Sequence, residues 1–142
     1  MPTIAGGATQ LTCAGTVVVI TNAATITVRS AGPQQFLEFD FTGTHPLCLR
    51  GGSQVTATIA GHFVQRTSPD GDLSIRFEET MSYDGGSLDF RGEATLSGAN
   101  WQSHVQSVGQ GTGPMSGLSA QGSFFPTANP SVLTDVLFYV YH

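Results

Sequence analysis

The sequence predicts an all-β protein, most simply an antiparallel β-barrel of about eight strands. Three observations support this prediction. Apolar and polar residues alternate in several short segments, turn sequences such as Ser68 to Gly71 and Asp84 to Gly86 separate these segments, and no segment has the period of a helix. A two-sheet β-sandwich is the alternative. An immunoglobulin-like sandwich is disfavoured because the single tryptophan does not lie between the two cysteines.

Length and composition indicate one domain, residues 1–142, and limit its partners. The chain has 18 glycines, only 11% charged residues and a formal net charge of −5. It has five arginines, scattered along the chain, and no lysine. Nucleic acids and anionic membranes attract clustered positive charge, which this sequence lacks. We therefore expect neither a nucleic-acid partner nor a membrane partner.

The N-terminus has no basic segment followed by an apolar one, and no apolar run reaches the roughly 18 residues of a membrane helix. These features predict a soluble, cytoplasmic protein, unless a leader has been removed. Cys13 and Cys48 are compatible with one disulfide bond or with two free thiols. Because no secretory signal is present, free thiols are the favoured prediction.

The first third of the chain is predicted to form three strands after a frayed arm or edge strand at residues 1–10. Leu11 to Ile20 contains a β-branched run that predicts a strand. A turn near Thr21 to Ala23 leads into a return strand, Thr25 to Arg29. Gln35 to Thr42 then alternates clearly, and its apolar face consists of Leu37, Phe39 and Phe41.

The opposite face of this third strand carries Glu38 and Asp40. Two carboxylates so close could bind a divalent cation or act as an acid and a base. We favour a solvated strand face, because the aromatic side already occupies the interior.

A loop is predicted from Thr44 to Gly52, and it contains His45. The four histidines lie far apart and form no His-x-His motif; they are His45, His62, His104 and His142. A metal site therefore has little support, although one assembled from separate strands stays open. We expect no metal and no other cofactor.

The strand Ser53 to Arg66 suggests a hollow interior. Its predicted inward residues are Val55, Ala57, Ile59, Gly61 and Phe63. Because Ala57 and Gly61 are small, this strand favours an internal cavity over a packed core.

The strand Asp72 to Met81 carries the strongest candidate for chemistry. Four apolar residues define its inner face, namely Leu73, Ile75, Phe77 and Met81. Glu79 has the same phase, so its carboxyl group is predicted to lie in the interior, where burial raises the pKa of an acid and prepares it for proton transfer near neutral pH. A bulge at Glu78–Glu79 or a structural pairing with arginine would remove this role.

Later strands supply further candidates. Trp101 begins a strand, either as a lid over the barrel mouth or as part of the core. The last strand, Val132 to Tyr141, is apolar on both faces. One face can line the barrel while the other meets a second subunit, which predicts a homo-oligomer, most simply a dimer. Periodicity does not decide between the faces, so Asp135, Tyr139 and Tyr141 are conditional candidates.

The segment Val108 to Phe125 predicts a barrel corner followed by a closing strand, because alternating glycines permit sharp bends. Its run GTGPMSGLSAQGSF, Gly111 to Phe124, resembles the late hairpin of the allene oxide cyclase-like and dirigent-like barrels, especially small bacterial members of unassigned function. A weaker likeness reaches back to Leu49. The resemblance implies a barrel that binds an apolar molecule inside, in some members with cofactor-free cyclisation. It carries over no catalytic residues.

Together these features predict a small cofactor-independent cyclase or isomerase acting on an apolar, polyene or epoxide-bearing substrate. The predicted catalytic residues are Glu79, Tyr139 and Asp135. The predicted substrate-binding residues are Phe77, Trp101, Met81, Tyr141, Phe63 and Phe39. The main alternative is a non-catalytic barrel that carries a small hydrophobic ligand, and a weaker one is a carbohydrate binder that uses Trp101.

Overall fold

The computed structural model describes residues 3–4 and 8–142, with side chains from Ala8 onward. Its strands are β1 (Thr3–Ile4), β2 (Ala8–Thr21), β3 (Thr27–Ala31), β4 (Gln34–Cys48), β5 (Gln54–Thr67), β6 (Leu73–Tyr83), β7 (Gly86–Ser97), β8 (Asn100–Val108), β9 (Leu118–Pro126) and β10 (Val132–Tyr141). Two short 3₁₀ turns, Ala23–Thr25 and Gly113–Met115, complete it. The described part of the chain holds no α-helix, and so it contains no helix long and apolar enough to cross a membrane.

Eight antiparallel strands close into a barrel, as predicted. Their order is β2-β10-β9-β8-β7-β6-β5-β4, and β4 returns to β2 through four residue pairs, from Val18 opposite Thr44 to Thr21 opposite Phe41. Strand β3 is additional and pairs with the start of β4. Closure removes the free edges that a sandwich would leave.

The predictions for the N-terminal region hold in part. Thr3–Ile4 pairs with Ala8 and Thr9, and the rest of the predicted arm, residues 1–2 and 5–7, lies outside the described residues. The return strand begins later than predicted, because Asn22 caps a 3₁₀ turn by accepting a hydrogen bond from the Ala24 N–H at 3.1 Å.

The two ends of the barrel differ in packing. The end where β10 finishes is here called the Tyr141 end. Its interior is filled by fully buried side chains, namely Leu47, Met81, Leu88, Met115 and Tyr141. Met115 comes from the 3₁₀ turn before β9, so that turn plugs this end. At the opposite end, here called the Trp101 end, Phe39, Phe63, Trp101 and Leu133 stay partly exposed. The Trp101 end is therefore the mouth.

The hollow interior predicted from small residues is largely filled. A side chain at Gly61 would meet the ring of Phe41, and one at Gly92 would coincide with the ring of Phe77. The glycines thus make room for aromatic rings from neighbouring strands rather than for a ligand. A cavity of about 30 Å³ remains beside the ring of Phe77.

Strand β4 is longer than predicted. The loop expected from Thr44 begins only after Cys48, because β4 pairs with β5 up to Cys48 opposite Gln54. Thr44 is the last described residue of β4 that pairs with β2, and Pro46 comes after this pairing has ended. A proline is tolerated where a strand has become an edge.

Strands β8 and β9 are joined largely by side chains. Their backbone ladder is limited to two residue pairs, at Val105 and Gln106. The Ser103 hydroxyl donates to the Phe124 carbonyl at 2.7 Å and accepts from the Phe124 N–H at 2.9 Å. The Trp101 indole N–H also donates to the Phe124 carbonyl, at 2.8 Å. These bonds fix Trp101 at the mouth.

The prediction of two free thiols is wrong, because Cys13 of β2 and Cys48 of β4 form a disulfide bond. Their Cα atoms lie 5.8 Å apart, within the range for bridged cysteines. The bridge lies where β2 and β4 have stopped pairing, so it joins the two strands across the seam at which the barrel closes. Such a pairing depends on the closure itself, which the cysteine spacing did not indicate.

Replacing both Cys13 and Cys48 with serine is expected to lower the free energy of unfolding by about 3 kcal/mol, because the bridge restricts the unfolded chain. Urea unfolding of the variant and of oxidised wild-type protein measures the difference. Reduced wild-type protein is the control and should match the variant. Equal unfolding midpoints for all three samples would show that the bridge contributes nothing.

Candidate active site in the barrel interior

The orientation of β10, which periodicity left open, is decided by burial. Asp135, Tyr139 and Tyr141 lie on the inner face and are buried, whereas Val136 and Phe138 are exposed outside. Asp135 thus carries a carboxylate into an apolar interior. Burial of a charged group without a partner is very unfavourable, so its surroundings decide its role.

His45 is the partner of Asp135. It lies on the inner face of β4, and its Nε2 is 2.5 Å from Asp135 Oδ2. Its Nδ1 donates to the Pro46 carbonyl at 2.6 Å, because a carbonyl oxygen can only accept. The ring therefore holds a proton on Nδ1 and shares a second one with Asp135. Both ring nitrogens are engaged.

The charge state of His45 follows from this geometry. Burial lowers the pKa of His45, but the hydrogen bond and charge of Asp135, the charge of Glu79 and the Pro46 carbonyl outweigh it. The net pKa is raised, which favours an imidazolium ion paired with the Asp135 carboxylate.

Glu79 lies in the same interior space, in phase with its apolar neighbours. It pairs with Gly61 on one side and Phe90 on the other. The residue keeps some accessible surface, but its carboxyl group is deep in the barrel, and burial raises its pKa to about 7. The positive charge of His45 opposes this rise and the negative charge of Asp135 adds to it. Glu79 can therefore exchange a proton near neutral pH.

These three titratable side chains line the cavity of about 30 Å³. The rest of the lining is apolar: Val17, Phe77, Phe90, Val105, Phe124 and Leu133. Asp135 Oδ1 is buried and has no hydrogen-bond partner among the described residues. The cavity is large enough for water but far smaller than a typical ligand site of roughly 300 Å³ or more.

Six predicted site residues do not line this cavity, and three of them are Tyr139, Tyr141 and Met81. Tyr139 is fully buried, its hydroxyl finds no hydrogen-bond partner in the described part of the chain, and burial raises its pKa. Tyr141 donates to the Cys48 carbonyl at 2.6 Å, and burial raises its pKa to about 12. Met81 is packed in the plugged end. The structure therefore brings Glu79 and Asp135 together but separates these three from them.

The other predicted binding residues form a layer of rings between the mouth and the cavity. Phe39 and Phe63 stack at the mouth with centroids 4.6 Å apart. Phe124 makes edge contacts with Phe77 at 5.3 Å and with Trp101 at 5.8 Å. Because Phe77 and Phe124 also line the cavity, these two rings form its walls and are also part of the ring layer.

Sequence reasoning placed His45 in a loop and so missed its role. Extending the alternation of Leu37, Phe39 and Phe41 by four residues would have put His45 on the inner face. Pro46 concealed this signal, because a proline usually marks the end of a central strand.

The acidic pair on the outer face of β4 has a different environment. His62 Nδ1 lies 2.7 Å from Asp40 Oδ1, and His62 Nε2 lies 3.4 Å from Glu38 Oε2, all near solvent. The hydrogen bond to Asp40 is the main reason that the pKa of His62 is raised. Within residues 3–4 and 8–142, no group of three or more His, Cys, Asp or Glu side chains is arranged to hold a metal ion.

Comparison with known proteins supports the fold. No family model and no curated protein matches the chain. Among solved structures, the chain is similar to a protein of unknown function from the DUF3224 family of Shewanella oneidensis MR-1. The two share 14% identity with a TM-score of 0.68, over 95% of this chain and 98% of the other. At this identity the likeness concerns the barrel architecture alone.

Glu79 should make stability depend on pH. Its pKa is about 7 in the folded protein against 4.5 ordinarily, so the folded state binds more protons between these values and loses stability as the pH rises through them. The difference corresponds to about 3 kcal/mol. Urea unfolding at pH 4.5 and pH 8 should show this fall in wild-type protein.

Glu79→Gln should remove this part of the pH dependence, whereas Glu78→Gln, one residue away on the outer face, should keep it. The pKa of His45 is also raised, so both variants keep a further loss of stability above pH 6.5 as that residue deprotonates. Identical pH profiles for wild-type protein and Glu79→Gln would contradict the assignment.

Proposed function

We propose that this protein is a cofactor-independent cyclase or isomerase that acts on an apolar substrate bound in the mouth of the barrel. One observation carries the proposal: Glu79, His45 and Asp135 line a single cavity whose other walls are apolar. The pKa values of Glu79 and His45 are raised, and titratable groups with shifted pKa values in an apolar cavity are typical of acid–base catalysis. The reaction class comes from the resemblance to allene oxide cyclase-like and dirigent-like barrels, which is an analogy of fold.

Glu79 is the proposed proton-transfer residue. His45 has both nitrogens in hydrogen bonds, and Asp135 is held in one of them. Glu79 has no comparable fixed partner among the described residues, and its pKa is about 7, so it can give a proton to the substrate and take one back. His45 and Asp135 provide a fixed pair of charges beside the reacting atoms. Tyr139 has no part in this proposal, because it does not line the cavity.

A substrate must displace rings to reach Glu79. The cavity of about 30 Å³ holds only a small part of any polyene or epoxide. The partly exposed side chains at the Trp101 end are the proposed path, and Phe77 and Phe124 are the rings that must shift. A closed apolar layer around the substrate would then exclude water and hold the chain in a reactive conformation.

The test uses the fact that cyclisation and isomerisation conserve mass. Incubating the protein with a panel of polyene and epoxide lipids should yield a product of unchanged mass and altered chromatographic retention. Glu79→Gln should lower turnover by roughly 10²-fold, the usual effect of losing a general acid or base. Glu78→Gln is the matched control and should keep full activity.

A non-catalytic carrier barrel is the second candidate. The observation that favours it is that His45 Nε2 and Asp135 Oδ2 are already bonded to each other, so each of these two groups has its charge partner without a substrate. Ligand binding without any product, unchanged in Glu79→Gln, would replace the enzyme proposal with this one.

We also propose a homodimer formed through the outer face of β10. Phe138 is 56% exposed and Val136 is 37% exposed, and Phe125 lies beside them on β9. Leu37, Phe39 and Phe41 share the inner-face phase of β4 and add nothing to this surface. Exposed apolar patches of this kind often mark interfaces.

Light scattering should therefore give a dimer mass at micromolar concentrations, and Phe138→Ser should shift the population towards monomer. Val28→Ser, which removes another exposed apolar side chain on β3, is the control. A monomer mass for wild-type protein across this range would exclude the dimer.

The cytoplasmic location predicted from the sequence is opposed by the Cys13–Cys48 bridge, since such bonds persist mainly in oxidising compartments.

A further inference from the structure

We infer that the cavity beside Asp135 is a binding site for the hydroxyl group of an otherwise apolar ligand, which donates its hydrogen bond to Asp135 Oδ1. The inference rests on the proposed function and deepens it, because it names the polar group of the substrate. Three independent features of the site lead to it: an unused acceptor, a small volume and an excess of carboxyl groups.

The unused acceptor is Asp135 Oδ1. Asp135 is only 4% exposed, and Oδ2 is taken by His45, but Oδ1 has no partner among the described residues. A buried carboxylate oxygen without a donor is strongly unfavourable, and native proteins leave few such atoms unpaired. The site therefore requires a donor from outside the protein, which is an O–H group in water or in a ligand.

The volume limits which donor can enter. A cavity of about 30 Å³ accepts a group the size of a water molecule. A hydroxyl oxygen fits this space, whereas a carboxylate with three heavy atoms does not. When no ligand is bound, water can make the same donation.

The charges lead to the same choice. Asp135 and Glu79 both line the cavity, and the one positive side chain among its lining residues, His45, already shares its proton with Asp135. An anionic group would face two carboxyl groups without a free cation or donor. A neutral hydroxyl meets no such repulsion.

The rest of the ligand must be apolar. The walls beyond the polar groups are Val105, Phe77, Phe124 and Leu133, and the path to solvent leads past Trp101. Trp101 is the single tryptophan of the chain, so its fluorescence reports on occupation of the mouth.

Three probes with comparable apolar tails test the inference: octan-1-ol, heptyl methyl ether and octanoate. The first two are isomers, and the ether differs in lacking a donor. Titration at pH 8, followed by Trp101 fluorescence, should give an affinity for octan-1-ol about tenfold higher than for either other probe, since they leave Asp135 Oδ1 unpaired. Equal affinity for the alcohol and the ether, or tighter binding of octanoate, would overturn the inference. Absence of octan-1-ol binding up to its solubility limit would also overturn it.

A cavity-filling variant provides a second test. Val105→Ile adds one methyl group to the lining and should weaken octan-1-ol binding by about tenfold, because it takes the space of the hydroxyl. Val108→Ile adds the same group on the outer face of the same strand, where Val108 is exposed, and should leave binding unchanged. Thermal unfolding shows that each variant is folded, and the probe comparison in wild-type protein stands independently if Val105→Ile is not. Unchanged binding by folded Val105→Ile contradicts the assigned position.

The outcome separates this inference from the proposed function. Selective binding of the alcohol without turnover of any polyene or epoxide would leave the hydroxyl site in place and remove the enzyme. If substrates that lack a hydroxyl were turned over as fast as substrates that carry one, the enzyme proposal would stand and the hydroxyl site would be excluded.

Discussion

The hydrogen-bonded pair of His45 and Asp135 is the interaction on which the barrel interior depends. A charge on either group alone in apolar surroundings would be very unfavourable, and the bond between them lowers that penalty for both. The pair also connects β4 with β10, which are separated in the barrel by β2. Gly15 of β2 pairs with Asp135 of β10 and lies against Pro46 of β4. Because Gly15 has no side chain, β4 can approach β2 closely there. The charge pair and the close packing of three strands therefore support one another.

The raised pKa of Glu79 is connected with this pair. Two carboxyl groups share one apolar space with a single imidazole, and that imidazole is bonded to Asp135. Glu79 has no such bond among the described residues, and burial raises its pKa to about 7. Environment, rather than residue type, assigns the two carboxyl groups to different roles. The same arrangement leaves Asp135 Oδ1 as the acceptor that a ligand can use.

Period-two alternation predicted much of the fold and part of the site. It indicated the antiparallel barrel and the inward direction of Glu79, because side-chain direction on a strand is a local property. It did not indicate His45, since Pro46 concealed the length of β4. The disulfide bond and the small cavity were also missed. Both depend on which strands meet when the barrel closes, and local patterns do not contain that information. For example, the ring of Phe77 occupies the space that a side chain at Gly92 on the neighbouring strand would need.

The two ends of the barrel are held together in different ways, and this difference bears on access. The Tyr141 end has the Met115 plug, the nearby disulfide bond and the bond from Tyr141 to the Cys48 carbonyl. At the Trp101 end, β8 and β9 lack backbone pairing, no connection joins them there, and side chains make the bonds to Phe124. Segments with few backbone hydrogen bonds open at the lowest free energy. Opening is therefore easiest at the end where Trp101 and Ser103 bond to Phe124, which is the end at which the proposed ligand would enter.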